Sequence, residues 1–396
     1  VKIKVKTVET DIVIFGGGIA GLWTLTRLRQ AGYACLLLES GYLGGVQTMA
    51  SQGIIHGGTK YALAGKLTGS SQAIREMPQI WRDCLAGRGE IDLSRVRLLA
   101  SHQHLWSNGM LSRMAGFFAG KVMQSRISEV QGEDRPALFR DPAFHGSVYQ
   151  LDEPVLDIAS LIMELQRQHG DCCLQLAGPE VVEFCSENHL RLQGEDGRQL
   201  EIRSRRILLS AGAGNQTLLR RLGRDTPAMQ RRPLQMVMLR GALPPLYAHC
   251  LGASANPRLT ITSYPVADGT QVWYLGGEIA ENGVGRDADA QIAAAQQELQ
   301  ALLPWVDLRG VQWATLNVDR AEPRQPDGKR PDNPYLEERD GVLVGWPTKL
   351  AFAPLLARQV EAQLRSAGIE PNLPEVVPDW PAPQRAALPW EHAQWS

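Results

Sequence analysis

Asp11–Phe15 is a short apolar run, Asp-Ile-Val-Ile-Phe, followed at once by a glycine cluster. Ile19–Gln30 then carries apolar residues at Leu22, Leu25 and Leu28. This texture predicts a strand, a tight turn and a helix. Gly32 ends the helix, and Ala34–Leu38 predicts a second buried strand closed by Glu39. The opening stretch therefore reads as a βαβ unit with two parallel strands, both faces of which need cover.

Further along, residues 70–120 read as mostly helical, with Trp81 and Trp106 on apolar faces. Leu156–His169 predicts an amphipathic helix ending near Gly170. Cys173–Leu176, Val181–Cys185, Leu190–Leu192 and Leu200–Ile202 alternate like a small meander, and Arg206–Ser210 is again an apolar strand. Met236–Leu239, Leu259–Ser263 and Val272–Leu275 predict strands, with a hairpin turn at Asp268-Gly269. Asp287–Leu303 predicts a helix stopped by Pro304, Leu343-Val344 a short strand, and Leu350–Ala367 a last helix. Residues 371–396 are proline-rich and aperiodic, an expected extended tail. The expected fold is α/β: a Rossmann-type domain from 8–75, 150–218 and 322–370, interleaved with an antiparallel-sheet α+β substrate domain from 76–149 and 219–321.

Composition narrows the function. A length of 396 residues favours two domains, and 44% hydrophobic with 21% charged residues is ordinary for a globular protein. A formal net charge of −1 gives no reason to expect a nucleic-acid partner. The six cysteines show neither a disulfide framework nor metal-ligand spacing, and His102 with His104 lacks a third ligand nearby. No metal is expected. The first residues carry no apolar signal region, and no run is long enough to span a membrane, so a reducing, cytoplasmic location is expected.

Gly16, Gly18 and Gly21 form G-x-G-x-x-G directly after a strand and at the opening of a helix. Gly16 permits the turn, Gly18 lets backbone approach a diphosphate, and Gly21 lets helix pack on strand. The helix N-terminus offers N–H groups and a positive dipole to that diphosphate. Glu39, at the end of the next strand, suits the hydroxyls of an adenosine ribose. The motif alone does not choose between NAD and FAD. The run Ser40–Gly58 is glycine-rich, polar and non-helical, and long enough to follow an extended cofactor outward.

Here the chain resembles the D-amino-acid-oxidase-like flavoprotein superfamily, which includes glycine and sarcosine oxidases. Gln47–Lys66, with Ser51-Gln52-Gly53-Ile54-Ile55-His56-Gly57-Gly58 and Tyr61–Lys66, is similar to its L-2-hydroxyglutarate oxidase and glycerol-3-phosphate dehydrogenase branch. Ile207–Ala213, Gly276–Gly283 and Gly341–Trp346 through Ala353-Pro354 match later elements. The resemblance implies FAD as cofactor, with contacts at Gly16, Gly18, Ile19, Ala20, Gly21, Glu39, Ser40, Gln47, Thr48, Ser51, Gln52, Gly53, Val182, Ala211, Gly212, Gly345, Lys349 and Leu350. A helix starting near Thr348 is expected to aim its dipole, aided by Lys349, at the reduced flavin's negative edge.

With one complete dinucleotide fingerprint, the expected reaction is hydride transfer from a small amino acid, amine or 2-hydroxy acid to flavin N5, with dioxygen or a quinone as second acceptor. Arg320 or Arg324 is expected on a substrate carboxylate, since the family pattern is broken and extended between them. His56 reads as a base, a substrate contact or a satisfied buried histidine. Tyr264, Trp273 and Tyr274 read as core residues or as one ring facing the flavin. The competing readings are an NAD-dependent dehydrogenase, a flavin monooxygenase and a non-catalytic subunit with a structural flavin.

Overall fold

The computed structural model describes residues 6–58, 69–107, 127–252, 256–374 and 377–396. Tyr61–Lys66 and residues 108–120 of the expected helical stretch lie outside the described residues. Two eight-stranded sheets dominate, and the chain alternates between them. β1 (Lys6–Phe15) and β2 (Cys35–Glu39) enter the first sheet. β3 (Leu98–Ala100) precedes β4 (Gln103–Ser107), β5 (Ile127–Val130) and β6 (Ser147–Leu151) of the second sheet, and β7 (Val155–Leu156) returns to pair β3. β8 (Cys173–Gln175), β9 (Val182–Ser186), β10 (His189–Gln193) and β11 (Gln199–Leu209) rejoin the first sheet. β12 (Met229–Gly241), β13 (Ala248–Cys250), β14 (Leu259–Pro265), β15 (Gln271–Gly276) and β16 (Gln312–Pro323) complete the second. β17 (Tyr335–Arg339) and β18 (Val342–Trp346) close the first.

In the first sheet β1 lies between β2 and β11, parallel to both, and β11 pairs β18 in parallel. Ile12, Val13, Ile14 and Phe15 are all buried because both faces of the strand are covered, Phe15 lying 5.8 Å from the Phe184 ring of β9, which explains the unbroken apolar run. Helix Ile19–Gln30 packs against helices Ile158–His169 and Ala353–Ser366. The two strands expected at 200–202 and 206–210 are one strand. The polar stretch between them stays in the ladder because Arg205 reaches Asp11 (3.2 Å) and Arg206 reaches Glu338 (3.0 Å). One edge of β11 thus serves β10 early and β18 late.

The expected helical stretch holds only in part. Helix Gly69–Leu85 crosses the expected boundary at 75–76, and its Met77, Trp81 and Cys84 join the first sheet's core. Trp106 instead lies on β4, buried against Phe139 at 5.3 Å between ring centroids. Its burial is real, but its period is that of a strand.

The second sheet runs β16-β12-β15-β14-β13-β4-β6-β5 and is antiparallel except where β13 meets β4. Its longest pairing, β12 with β16, keeps register from Met229↔Pro323 to Arg240↔Gln312. Helix Ala288–Leu302 covers one face through Ala295, Leu299 and Leu302. The tail covers part of the other: Trp390 is buried 4.3 Å from the Tyr264 ring, and Ser396 exchanges backbone hydrogen bonds with Trp313. The tail also straps the first sheet's side, where Ala386 N donates to Leu43 O and Pro381 O accepts from Gln175 N.

Candidate active site

The carboxyl ends of β1, β2, β11 and β18 meet β12 and β16 around a crevice of about 1250 Å³. Open parallel sheets place ligand crevices at such strand ends. Gly16 turns with φ of 103°, and a Cβ there would lie 2.5 Å from Ala211 Cα. A Cβ on Gly21 would sit 1.9 Å from the Gly16 carbonyl oxygen, so helix and strand touch here only because residue 21 is glycine. Ile19 N–H donates to Thr48 Oγ1 at 3.1 Å. Glu39 is held by two backbone donors, Gly17 N at 2.5 Å and Gly41 N at 2.6 Å, which fix its carboxylate at the crevice rim. Gly17 was not singled out by the motif, yet a Cβ there would meet Leu43 at 2.5 Å.

Gly16, Gly18, Ile19, Ala20, Glu39, Ser40, Gln47, Thr48, Ser51, Gln52, Gly53, Ala211, Gly212, Lys349 and Leu350 all line the crevice, together with His56 and Arg320. Three expected contacts do not. Gly21 serves the helix–strand packing. Val182 buries its side chain under β10, while Leu176 and Pro179 reach the crevice in its neighbourhood. Gly345 abuts Leu356 and accepts a hydrogen bond from buried Asn215, which also accepts from Ala211 N and so pins the ends of β11 and β18 together. The expected helix near Thr348 begins at Ala353, after a single 3₁₀ turn over Leu350–Phe352, and Pro354 takes the first helical turn. Lys349 caps that 3₁₀ turn, with its ammonium 4.8 Å from the Phe352 ring centroid.

Gln47 and Gln52 tie the glycine-rich run after β2 to the second sheet, donating to Asp319 O at 3.2 Å and Tyr274 O at 2.8 Å. Gly276 makes room for Gln52, whose Oε1 would be 2.6 Å from a Cβ there. Tyr264, Trp273 and Tyr274 are buried and do not line the crevice; Tyr274 donates to Ala50 O. Burial pushes both tyrosine hydroxyls well above the ordinary phenol range.

Arg320 lines the crevice and Arg324 is exposed outside it, which separates the two candidates. Burial, helped by Arg232, pushes the Arg320 guanidinium down to about 10, so it is still charged at neutral pH. Its Nε donates to Arg232 O at 3.1 Å, and Glu281 is 3.7 Å from its Nη2. Arg231, Arg330 and Lys349 line the same space, as do Glu39, Asp319 and Glu322. Arg231 is matched by Asp319 (3.0 Å) and Arg232 by Glu322 (2.5 Å). Arg330 and Asp319 were missed from sequence; only the pairing of β16 with β12, invisible locally, places Asp319 here.

The crevice fits an extended dinucleotide. At its first end only Thr48 Oγ1, 3.3 Å away, would oppose a Cβ on Gly18, so backbone lies open to a diphosphate. Midway, the buried Ser51 hydroxyl has no hydrogen-bond partner among the described residues, as expected of a group that answers a bound polar atom.

A family model described as FAD dependent oxidoreductase matches residues 11–358. The chain is 53% identical over 391 residues to the probable FAD-dependent oxidoreductase PA4991 of Pseudomonas aeruginosa, covering 98% of this chain and 99% of that one. The crystal structure of PA4991 superposes with a TM-score of 0.85 at 49% identity, covering 98% of each chain. Glycine oxidase from Geobacillus kaustophilus shares the fold at a TM-score of 0.63 and 16% identity, over 93% of this chain and 100% of that one. L-amino acid deaminase from Proteus vulgaris does so at 0.62 and 16%, over 94% of each.

Proposed function

Because this chain belongs to the FAD dependent oxidoreductase family and takes FAD as its cofactor, we propose that it oxidises a small amino acid, amine or 2-hydroxy acid, with a carboxylate held by Arg320. The observation that carries this reading is Arg320 itself: a largely desolvated guanidinium facing the crevice, with its nearest carboxylate only at 3.7 Å. Such a fork suits bidentate capture of a carboxylate. The names of the glycine oxidase and the L-amino acid deaminase that share the fold agree with this class.

When bound, the flavin supplies a two-electron acceptor for hydride. The residues of this chain supply everything else. Backbone N–H groups of Gly18 and Ala20 and the helix dipole behind them hold the diphosphate, and Glu39 holds the ribose. Lys349 and the 3₁₀ turn after it favour negative charge at their end of the crevice. His56, one-quarter exposed toward the crevice, takes the proton that the substrate's hydroxyl or ammonium must lose. Dioxygen or a quinone completes the cycle. No helix among the described residues is long and apolar enough to cross a membrane. The cytoplasm suits six cysteines with no disulfide, among which burial pushes Cys84 up to about 11 and Cys173 and Cys250 up to about 12.

The test is anaerobic bleaching of the flavin absorbance by a panel of amino acids, amines and 2-hydroxy acids. Carboxylate-bearing compounds are expected to reduce it. Arg320→Ala is expected to raise the half-saturating concentration by about 10-fold or more, the worth of a lost charged hydrogen bond. Reduction by neutral amines alone, or an unchanged half-saturation, removes Arg320 from the substrate site.

A further inference from the structure

His56 is not alone at the crevice wall. Its Nδ1 lies 3.2 Å from Glu153 Oε2, and the second oxygen of that carboxylate accepts from Gly57 N at 2.8 Å. Glu153 is almost fully buried, with 4% of its side chain exposed. A carboxylate is seldom buried this far without a task or a partner. The backbone holds the pair face to face. Ile54 bridges Val155 in antiparallel fashion, Leu156 N donates to Gly53 O, and Ile55 N donates to Pro154 O, both at 2.9 Å. Gly53 makes this zipper possible, since a Cβ there would lie 2.2 Å from Leu156 O. On the other side the His249 ring stacks on His56 at 5.8 Å between centroids and 20° between planes. His249 is itself fixed by Thr260 Oγ1, 2.7 Å from its Nδ1.

We propose that Glu153 is a positioning residue for His56: it accepts a hydrogen bond from Nδ1–H, and so presents an unprotonated Nε2 to the substrate. This inference rests on the reading of His56 as the group that takes the substrate's proton. The logic is general. A neutral imidazole has one donor and one acceptor nitrogen, and the hydrogen bond at one decides which role the other plays. A buried carboxylate at Nδ1 selects the Nδ1–H tautomer and stabilises the imidazolium that forms when Nε2 accepts a proton. The Gly57 N–H orients the carboxylate, and the His249 ring limits where the His56 ring can turn. No bond is made or broken by Glu153. The proton leaves the substrate heteroatom for Nε2 and departs to solvent through the exposed side of His56.

Other ionisable groups among the described residues have their own surroundings. Asp152, next to Glu153, is engaged by Arg82 at 2.5 Å. His104, opposite Ala248 in the β4–β13 pair, is driven toward the neutral form by burial. Arg320 and Lys349 line the same crevice. The ligand-capable atoms of His56, Glu153 and His249 also lie within 4.8 Å of one another, a spacing that a divalent ion could draw together. A resident metal is therefore the rival outcome.

The experiment uses the FAD-loaded protein with isotope-labelled histidine, reading imidazole nitrogens by NMR across pH, with elemental analysis of the same sample. Wild type is expected to show His56 as the Nδ1–H tautomer. In Glu153→Gln the apparent pKa of His56 should fall by about one unit as the stabilising charge is lost, with both tautomers populated. Glu153→Asp, which keeps the charge, should restore most of that shift. With any substrate that bleaches the flavin, Glu153→Gln should slow reduction by about 10-fold or more and move the acid limb of the rate profile to lower pH. An unchanged tautomer and titration in Glu153→Gln overturns the inference. So does one equivalent of a divalent metal that Glu153→Gln releases. A separate variant, His56→Asn, guards the premise: unimpaired flavin reduction there sinks the reading of His56, whereas slow His56→Asn beside an unaltered Glu153→Gln sinks only Glu153.

Discussion

Gly18 and Gly21 stand in the same short motif, yet a side chain at each meets a different thing. At Gly21 it meets backbone: the Gly16 carbonyl oxygen at 1.9 Å, which cannot move without dislodging the first helix. At Gly18 it meets only the Thr48 hydroxyl at 3.3 Å and then open crevice. The two substitutions should therefore fail in different ways. Gly18→Val is expected to cost the apo-protein under about 1 kcal/mol in denaturant unfolding while abolishing flavin incorporation, read from the visible spectrum after purification. Gly21→Ala is expected to cost about 3 kcal/mol or more and to lose flavin only because the fold loosens. Equal stability losses in both would show that the motif is mainly a packing device.

At the scale of elements, what the sequence reveals depends on whether the pattern is local. The first βαβ unit was legible because each strand is buried on both faces and its turn residues are obligatory. The β16 strand was not. Gln312–Pro323 mixes Thr315, Asn317, Asp319 and Arg320 among its apolar residues and owes its extended form to a twelve-residue pairing with β12. Trp106 was placed on a helix because one large apolar residue carries no period. Glu153 and His249 were overlooked because their partner His56 is distant in sequence: the Gly53–Leu156 zipper brings Glu153 to it, and β13 of the second sheet brings His249. The tail was legible as extended, but its docking was not, since Trp390 finds its aromatic neighbours on β14 and β15. That docking is measurable: Trp390→Ala should destabilise the protein by about 3 kcal/mol, as for other buried tryptophans, seen as a lower unfolding midpoint. A midpoint within error of wild type would make the strap an ornament of the surface.

Across the whole molecule, the two sheets share a crevice, walled by β1, β2, β11 and β18 on one side and by β12 and β16 on the other. A ligand spanning that seam belongs to the folded state alone, so it must stabilise the fold by mass action. Free FAD at about 100 times its dissociation constant should add about 2.7 kcal/mol to apo-protein stability. ADP, which reaches only the end near Gly18 and Glu39, should add less at the same concentration. A thermal melt with FAD, ADP and NAD in parallel reads this directly, and stabilisation by NAD with none by FAD would reverse the cofactor assignment.

The place of β1 between β2 and β11 has a bearing on how the protein is made. β1 gains one neighbour within a few dozen residues, but when it leaves the ribosome its other neighbour, paired from Lys6↔Leu200 to Phe15↔Leu209, is not yet translated. Until Leu209 emerges, the nucleotide cradle has one wall, and the nascent chain must wait with an apolar edge uncovered. Flavin capture is thus a late event in biosynthesis, and at about 5–20 residues per second the nascent chain carries that uncovered edge for some tens of seconds before the flavin can help.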